Sequence, residues 1–155
     1  MREEKLRLAS HSPLKLAHVV RWSLAAVFLY AGAAKLQDPA AFAHQIDAYR
    51  LLPPDLVLLT AAVLPVLEIL CGLLLLAGRW LLGASVLVTG LTLAFLFAMG
   101  SAIARGLNID CGCFSVSGGH AVSGWRMLED LLLLLAACYT FLSAARLHFR
   151  SASSG

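Results

Sequence analysis

Long, nearly uninterrupted stretches of apolar residues dominate the chain, and short polar segments separate them. Four stretches approach the roughly 20 residues that a helix needs to cross a bilayer. They run over about residues 19–34, 56–77, 80–103 and 125–142. Lys35, which follows the first stretch, is expected to extend toward the lipid headgroups. The pattern predicts an all-α integral membrane four-helix bundle that forms a single domain over residues 1–155.

A short amphipathic helix is predicted between the first two spans. Asp38 and Pro39 have the pattern of a helix N-cap followed by proline in the first turn. Phe42, Ile46 and Tyr49 then share one helical face. Such a helix fits either a lid over the bundle or an anchor at the membrane interface.

The third predicted span carries small residues at strict four-residue intervals. They are Gly90, Ala94, Ala98 and Ala102. Small residues let two membrane helices approach closely. The sequence therefore predicts a packing seam along this ridge.

Composition agrees with a membrane protein. Hydrophobic residues make up 60% of the chain, charged residues make up 14%, and the mean hydropathy is +0.82. Soluble domains have about 45–50% apolar and about 25% charged residues. An ordinary soluble domain and a disordered chain are therefore excluded. No basic stripe interleaved with aromatic residues is present, so no nucleic-acid partner is expected.

The placement of Lys and Arg predicts an orientation. Eight of the 12 lie before the first span or at its starting edge, between the second and third spans, or after the fourth, and four lie at the margins of the other two loops. Basic residues concentrate on the cytoplasmic side. Both termini are therefore expected in the cytoplasm, and loops 35–55 and 104–124 on the periplasmic or outer side. Residues 1–34 also have features of a signal peptide, but their basic start is long, which favours a retained span.

Two thiols lie close together in the loop before the fourth span, in Cys111-Gly112-Cys113. A disulfide across one residue closes a small, strained ring, and strain makes a disulfide easier to reduce. A disulfide that closes so short a loop contributes little to the stability of the fold. The pattern favours a redox pair over an inert bridge. A soft-metal site formed with His44 and His120 is an alternative.

The two loop thiols are expected to differ in ionisation. Asp110 beside Cys111 opposes formation of its thiolate, so Cys113 is predicted to be the more ionised thiol. Three basic residues of the same region are candidates for stabilising a thiolate: Arg105, His120 and Arg126.

Glu68 is an acidic residue deep in the second predicted span. A carboxylate at this depth is energetically expensive and points to a functional site. It is predicted to be protonated, or to pair with Arg21, Lys35 or Arg126. Structural hydrogen bonding within the bundle and proton chemistry both remain possible roles.

Cys71 and Cys138 lie within spans, each roughly 20 Å from the outer end at 1.5 Å per residue. Cys71 shares a helical face with Glu68. The two cysteines are predicted to be small hydrophobic core residues, or an internal electron-relay pair.

The start of the fourth span carries Arg126, Glu129 and Asp130. Arg126 can pair with Asp130 one turn later, and the acids suit a helix N-terminus. Capping and pairing explain these residues without a catalytic role, although they lie on the same side as the loop thiols.

Several strings resemble the MauE branch of the DoxX-like membrane proteins. They are YAGAAKLQDP (residues 30–39) with Phe42, YRLLP (residues 49–53), Leu64-Pro65 with Glu68 and Gly72, DCGCF (residues 110–114), and Arg126 with Asp130. The resemblance spans about residues 17–142. AKLQDP and CGCF are its most specific parts. The family usually has Gly after CGCF, where this chain has Ser115.

The resemblance implies a DoxX-like four-helix protein of the bacterial inner membrane. The family prototype is a maturation factor for the disulfide-rich small subunit of periplasmic methylamine dehydrogenase. Cys111 and Cys113 match the family's redox positions and are the expected catalytic pair.

The function expected from these observations is thiol–disulfide exchange with a periplasmic thiol client or a thioredoxin-like protein. The partners are then that protein and membrane lipid, and a membrane quinone is a possible electron acceptor. No cofactor-binding residue and no resident metal site are assigned. The alternatives are a non-catalytic membrane scaffold for assembly or export of a partner, and a soft-metal binding protein. The supporting residues are Glu68, Cys71, Arg126, Asp130, Cys138 and His120.

Overall fold

The described part of the chain consists of five helices, and the described connections between them are short. The computed structural model describes the backbone of residues 2–107 and 124–152 and the side chains of residues 16–107 and 128–146. The helices are α1 (Arg2–Gln37), α2 (Pro39–Ala48), α3 (Pro54–Ala77), α4 (Leu81–Ala104) and α5 (Gly124–Ala152). Four segments are long and apolar enough to cross a membrane, namely Leu16–Gln37, Pro54–Ala77, Leu81–Ala104 and Leu128–Arg146. The predicted all-α fold with four spans is confirmed, and the boundaries shift by a few residues.

The four long helices form a ring in which each helix contacts two neighbours. The most extensive interfaces join α1 to α3 and α4 to α5, and contacts of α1 with α5 and of α3 with α4 close the ring. The buried residues at its centre include Leu24, Phe28, Cys71, Leu75, Val88 and Ala137. The outward faces are also apolar, since Leu58, Phe97 and Leu135 are exposed. A bundle that is apolar both inside and outside is suited to a lipid environment.

Two glycines bring α1 and α3 together closely. A Cβ on Gly32 would lie 2.8 Å from the Pro65 carbonyl oxygen and 2.8 Å from Ile69 Cγ1. A Cβ on Gly72 would lie 2.7 Å from Leu29 Cγ. Neither position has room for a larger residue without movement of its neighbours. The closest small-residue contact among the described helices is therefore the one between α1 and α3.

The seam predicted on α4 is wrong for most of its length. Gly90 and Ala94 are exposed, Ala98 is half-buried, and only Ala102 of the four is buried; no heavy atom lies within 4 Å of a Cβ built on Gly90. A strict four-residue interval rotates by about 40° per step around an α-helix, so the ridge turns out of the interface. The buried face of α4 consists instead of Ala84, Ser85, Val88, Thr92, Met99 and Ala102.

The amphipathic helix α2 forms as predicted and packs mainly against α3. The Asp38 carboxylate accepts a hydrogen bond from the Ala41 backbone N–H at 2.9 Å, and Pro39 occupies the first turn. Phe42 is buried, and Asp47 on the opposite side is exposed. The N-cap and the apolar face together fix where α2 begins and which side faces the bundle.

Arg105 links the end of α4 to the end of α2. Its Nη2 donates a hydrogen bond to the Tyr49 carbonyl at 2.6 Å, and its Nη1 donates to the Arg50 carbonyl at 3.4 Å. The same Nη2 donates to Ser101 Oγ at 3.0 Å. The chain after α4 therefore starts next to α2.

We expect Asp38→Ala to destabilise α2 locally by about 1 kcal/mol, because the first turn loses its side-chain acceptor. Hydrogen–deuterium exchange of α2 amides, read at Ala41, should become faster, while exchange in α3 stays unchanged. Asp47→Ala, an exposed acid of the same helix, is the matched control. Equal exchange at Ala41 in the two variants would contradict a capping role for Asp38.

Candidate functional site

A buried ion pair between α1 and α3 is the most distinctive polar feature of the described residues. Lys35 Nζ lies 2.8 Å from both carboxylate oxygens of Glu68. Each of the two side chains is only 2% exposed. Glu68 is thus paired with Lys35, one of the three cations considered from the sequence.

The close approach of α1 and α3 makes this pair possible. Gly32 lies one turn before Lys35, and a Cβ at Gly32 would be 3.2 Å from Glu68 Cβ. Because α3 comes this near to α1, the lysine side chain reaches the carboxylate from the last turn of its helix. A cation is also favoured there by the helix dipole.

The expectation that Lys35 extends toward the lipid headgroups is wrong. Lys35 is 1% exposed and follows Phe28 and Gly32 on the packed face of α1, at positions i+7 and i+3. That register is the sequence signal that marks the lysine as an inward-facing residue. Its position at the end of a span suggested an interfacial role, whereas its helical face determines its actual contacts.

Two aromatic rings surround the lysine ammonium. Lys35 Nζ lies 5.6 Å from the centroid of the Phe42 ring on α2 and 5.2 Å from that of the Phe95 ring on α4. A cation within about 6 Å of an aromatic face is attracted by the ring. The ammonium is thus compensated by one carboxylate and two rings on three different helices.

A small cavity adjoins the ion pair and brings in α5. Its volume is about 30 Å³, and its polar lining residues are Lys35, Glu68, Thr92 and Asp130. Thr92 Oγ1 donates its proton to the Val88 carbonyl at 2.8 Å, so toward the cavity this hydroxyl can act only as a hydrogen-bond acceptor. The cavity has room for a single water molecule, although apolar side chains form most of its lining surface. All five helices therefore contribute a residue to the cavity or to the lysine's surroundings.

The polar residues around this cavity form a buried cluster, which is suited to proton chemistry or to electrostatic positioning. Its members are Lys35, Glu68, Thr92 and Asp130. An ammonium and two carboxylates lie around one water-sized space in a membrane bundle, where charged groups are expensive to bury. Such a group can hold or relay a proton, and the Lys35–Glu68 pair also joins α1 to α3. Among the residues whose side chains are described, no group of three or more His, Cys, Asp or Glu side chains could hold a metal ion.

The structure brings two of the predicted supporting residues together and separates the others from them. Glu68 and Asp130 line the same cavity. Asp130 is buried and so has a role beyond an exposed helix cap. Cys71 is buried in the central core, Cys138 is half-buried, and both are free thiols. The position of Cys71 agrees with a small hydrophobic core residue.

The remaining predicted site residues lie outside the described part of the chain. These are Cys111, Cys113 and His120; for Arg126, only the backbone is described, as part of α5. Their assignment remains a prediction from the sequence.

Comparison with known proteins gives a family match over most of the chain. Residues 13–143 match the family model of the methylamine utilisation protein MauE. The methylamine utilization protein MauE of Paracoccus denitrificans is 33% identical over 129 residues, which cover 81% of this chain and 69% of that protein. No solved structure matches the chain. The matched range contains every residue of the buried cluster and both loop cysteines.

Proposed function

This chain belongs to the methylamine utilisation protein MauE family, and from that premise we propose that it carries out thiol–disulfide exchange in the maturation of a disulfide-containing client. Cys111 and Cys113 are the exchanging thiols. The client is a periplasmic protein with thiols, or a thioredoxin-like protein that passes electrons onward. The proposal extends the family's link to methylamine utilisation to a specific chemistry.

The observation that carries the proposal is the position of the thiol pair in the chain. Cys111 and Cys113 belong to the connection between α4 and α5. That connection starts next to α2, where Arg105 binds the Tyr49 carbonyl. The ends of α4 and α1 and the starts of α3 and α5 share this end of the antiparallel bundle. The segment that carries the thiols therefore continues from the end of the bundle where α2 packs.

The proposed orientation places this end outside the cell or in the periplasm. Eight of the 12 Lys and Arg residues belong to the opposite end of the bundle, and basic residues concentrate in the cytoplasm. An N-in, C-in arrangement in a bacterial inner membrane then exposes the thiol pair to the oxidising compartment, where disulfides form and persist.

The exchange step proceeds through a mixed disulfide. A client thiolate attacks Cys111 Sγ of the Cys111–Cys113 disulfide, and Cys113 leaves as a thiolate because it is the more ionised thiol. A second client thiolate then attacks the client sulfur of the mixed disulfide and releases Cys111. The client loses two electrons and two protons and gains a disulfide, and the Cys111–Cys113 pair becomes a dithiol.

The test is the redox state of the cysteines in intact cells, measured by acid quenching and alkylation with a mass tag. We expect the loop pair to cycle between disulfide and dithiol. Cys111→Ser and Cys113→Ser should each reduce client maturation to background, because neither variant can form the Cys111–Cys113 disulfide that the client reduces. Acid-quenched wild-type cells should retain a mixed disulfide between Cys111 and the client. Cys138→Ser is the control, because this half-buried free thiol takes no part in the proposed exchange.

Three other outcomes would contradict the proposal. A pair that is permanently oxidised without adducts, in a chain whose Cys111→Ser variant still matures the client, would favour a membrane scaffold. A pair that is fully reduced and binds stoichiometric zinc or copper would favour a metal-binding protein. Client maturation that is unchanged in both single variants would exclude any role for the thiols.

A further inference from the structure

A second and much larger cavity is formed by α2, α3 and α4. Its volume is about 410 Å³, within the range of about 300–1,000 Å³ that is common for sites of small organic ligands. Ala94 and Phe97, on the lining segment of α4, are both exposed, and Phe97 is 72% exposed. Both lie within the membrane-spanning part of α4. The cavity therefore opens sideways, toward lipid.

The lining has a polar end and an apolar end. Gln45 and Tyr49 of α2 and Thr60 in the second turn of α3 lie at the end of the bundle where α2 packs. Leu64, one turn deeper in α3, and Leu91, deeper in α4, line the other end. A matching occupant has a polar head near the membrane surface and an apolar remainder, as membrane-soluble ligands do.

Aromatic side chains distinguish this cavity from a site for a simple acyl chain. The rings of Phe42, Tyr49, Phe95 and Phe97 all contribute to its lining. Aromatic rings prefer to pack against other flat rings in offset or edge-to-face arrangements. An occupant whose head is a planar ring would therefore pack best against these four side chains.

The buried ion pair lies next to the same cavity. Phe42 and Phe95, which line it, are also the two rings within 6 Å of Lys35 Nζ. Because Glu68 compensates this ammonium, hydrogen-bond donors in the lining select the polar atoms of the occupant, and they favour acceptors such as carbonyl oxygens. Threonine and glutamine side chains at the polar end can donate hydrogen bonds to such oxygens.

We propose that this cavity binds an isoprenoid quinone, with the quinone ring among the aromatic side chains and the tail leaving toward lipid. The assignment rests on the proposed thiol exchange, which leaves a dithiol that must be reoxidised. The dithiol gives two electrons and two protons to the quinone, so a disulfide and a quinol are formed. The chain that carries the thiols starts at the cavity rim, because Arg105 binds the carbonyl of the lining residue Tyr49.

The experiment measures binding of decylubiquinone to the full chain in nanodiscs of quinone-free phospholipid, by calorimetry. Ala94→Trp places a large side chain in the cavity from an exposed position and is expected to weaken binding by about tenfold or more. Val86→Trp is the control, since this residue is exposed on the same helix but does not line the cavity. Its binding should equal that of the wild type.

A second comparison separates a quinone site from a lipid-tail site. Decylbenzene has the same tail and a ring without carbonyl oxygens, so it should bind more weakly than decylubiquinone. Thr60→Val, which removes one hydroxyl donor, should reduce only the affinity for the quinone. Equal binding of the two probes, or a phospholipid that decylubiquinone does not displace, would overturn the proposal in favour of an acyl-chain site.

The double variant Cys111→Ser, Cys113→Ser separates this inference from the proposed exchange. It should bind decylubiquinone as the wild type does, because neither cysteine lines the cavity. Quinone binding that is lost only in Ala94→Trp supports the site whatever the client assay gives. Absence of binding to the wild type would overturn the site, while the client assay alone decides the thiol exchange.

Discussion

The Glu68→Gln variant is expected to be less stable than the wild type by about 3–5 kcal/mol, because it leaves the Lys35 ammonium buried without its carboxylate. Lys35→Met should have a comparable effect, since Glu68 then loses the ammonium that lies 2.8 Å from both of its oxygens. The rings of Phe42 and Phe95 offset only part of the loss, because a cation–π contact contributes about 0.5–2 kcal/mol.

Unfolding in mixed micelles of increasing denaturing detergent measures this effect. Asp47→Asn is the matched control: it also removes a negative charge, but from an exposed position on α2. Its stability should remain within about 0.5 kcal/mol of the wild type. A Glu68→Gln variant as stable as Asp47→Asn would contradict the ion pair.

The double variant Lys35→Met, Glu68→Gln separates the structural role of the pair from a functional one. Removing both charges leaves no unpaired ion, so most of the lost stability should return. If the stable double variant no longer supports client maturation, the charges are needed for the chemistry. If maturation also returns, the pair serves to hold α1 on α3. Stability is measured on the purified variant, and client maturation is measured in cells that express it.

Gly32→Ala should be the most damaging substitution after those of the ion pair, with a cost of about 1–3 kcal/mol. The new Cβ would meet the Pro65 carbonyl oxygen and Ile69 Cγ1, each at 2.8 Å. The carbonyl is backbone and cannot move away alone, so α1 and α3 must separate. Because Glu68 Cβ is 3.2 Å away, that separation also moves the carboxylate relative to its lysine.

Gly90→Ala is the matched control for this substitution. It adds the same methyl group to a spanning helix, but nothing lies within 4 Å of the new atom. Alanine also has the higher helix propensity, so this variant should be as stable as the wild type or slightly more stable. The comparison uses the same detergent titration. Equal stability of the two variants would show that the α1–α3 contact is looser than the distances indicate.

Local features of this fold were predictable from the sequence. Long apolar stretches define the four spans because the bilayer requires their length, and Asp38 caps α2 through atoms only three residues away. Both signals act within a few turns of the chain. Neither depends on which helices become neighbours.

Contacts between helices were not predictable in the same way. Glu68 had three possible cations, and the sequence could not select Lys35, which is 33 residues away. The small residues of α4 suggested a seam, whereas the close contact formed at Gly32 and Gly72 on other helices. Small residues are frequent in apolar helices, and only the neighbouring helix determines which of them pack. The cavity beneath α2 likewise depends on three helices at once.

The buried ion pair also has a consequence for the order in which the chain is inserted into the membrane. Lys35 lies in the last turn of α1, so α1 alone can keep its ammonium at the membrane surface. Glu68 lies in the middle of α3, where a charged group without a partner costs about 2.5–3.5 kcal/mol or more. Synthesis delivers α1 first, so its lysine is already present when α3 arrives. The first span thereby assists the insertion of the next, and the assembled pair makes later removal of α3 unfavourable.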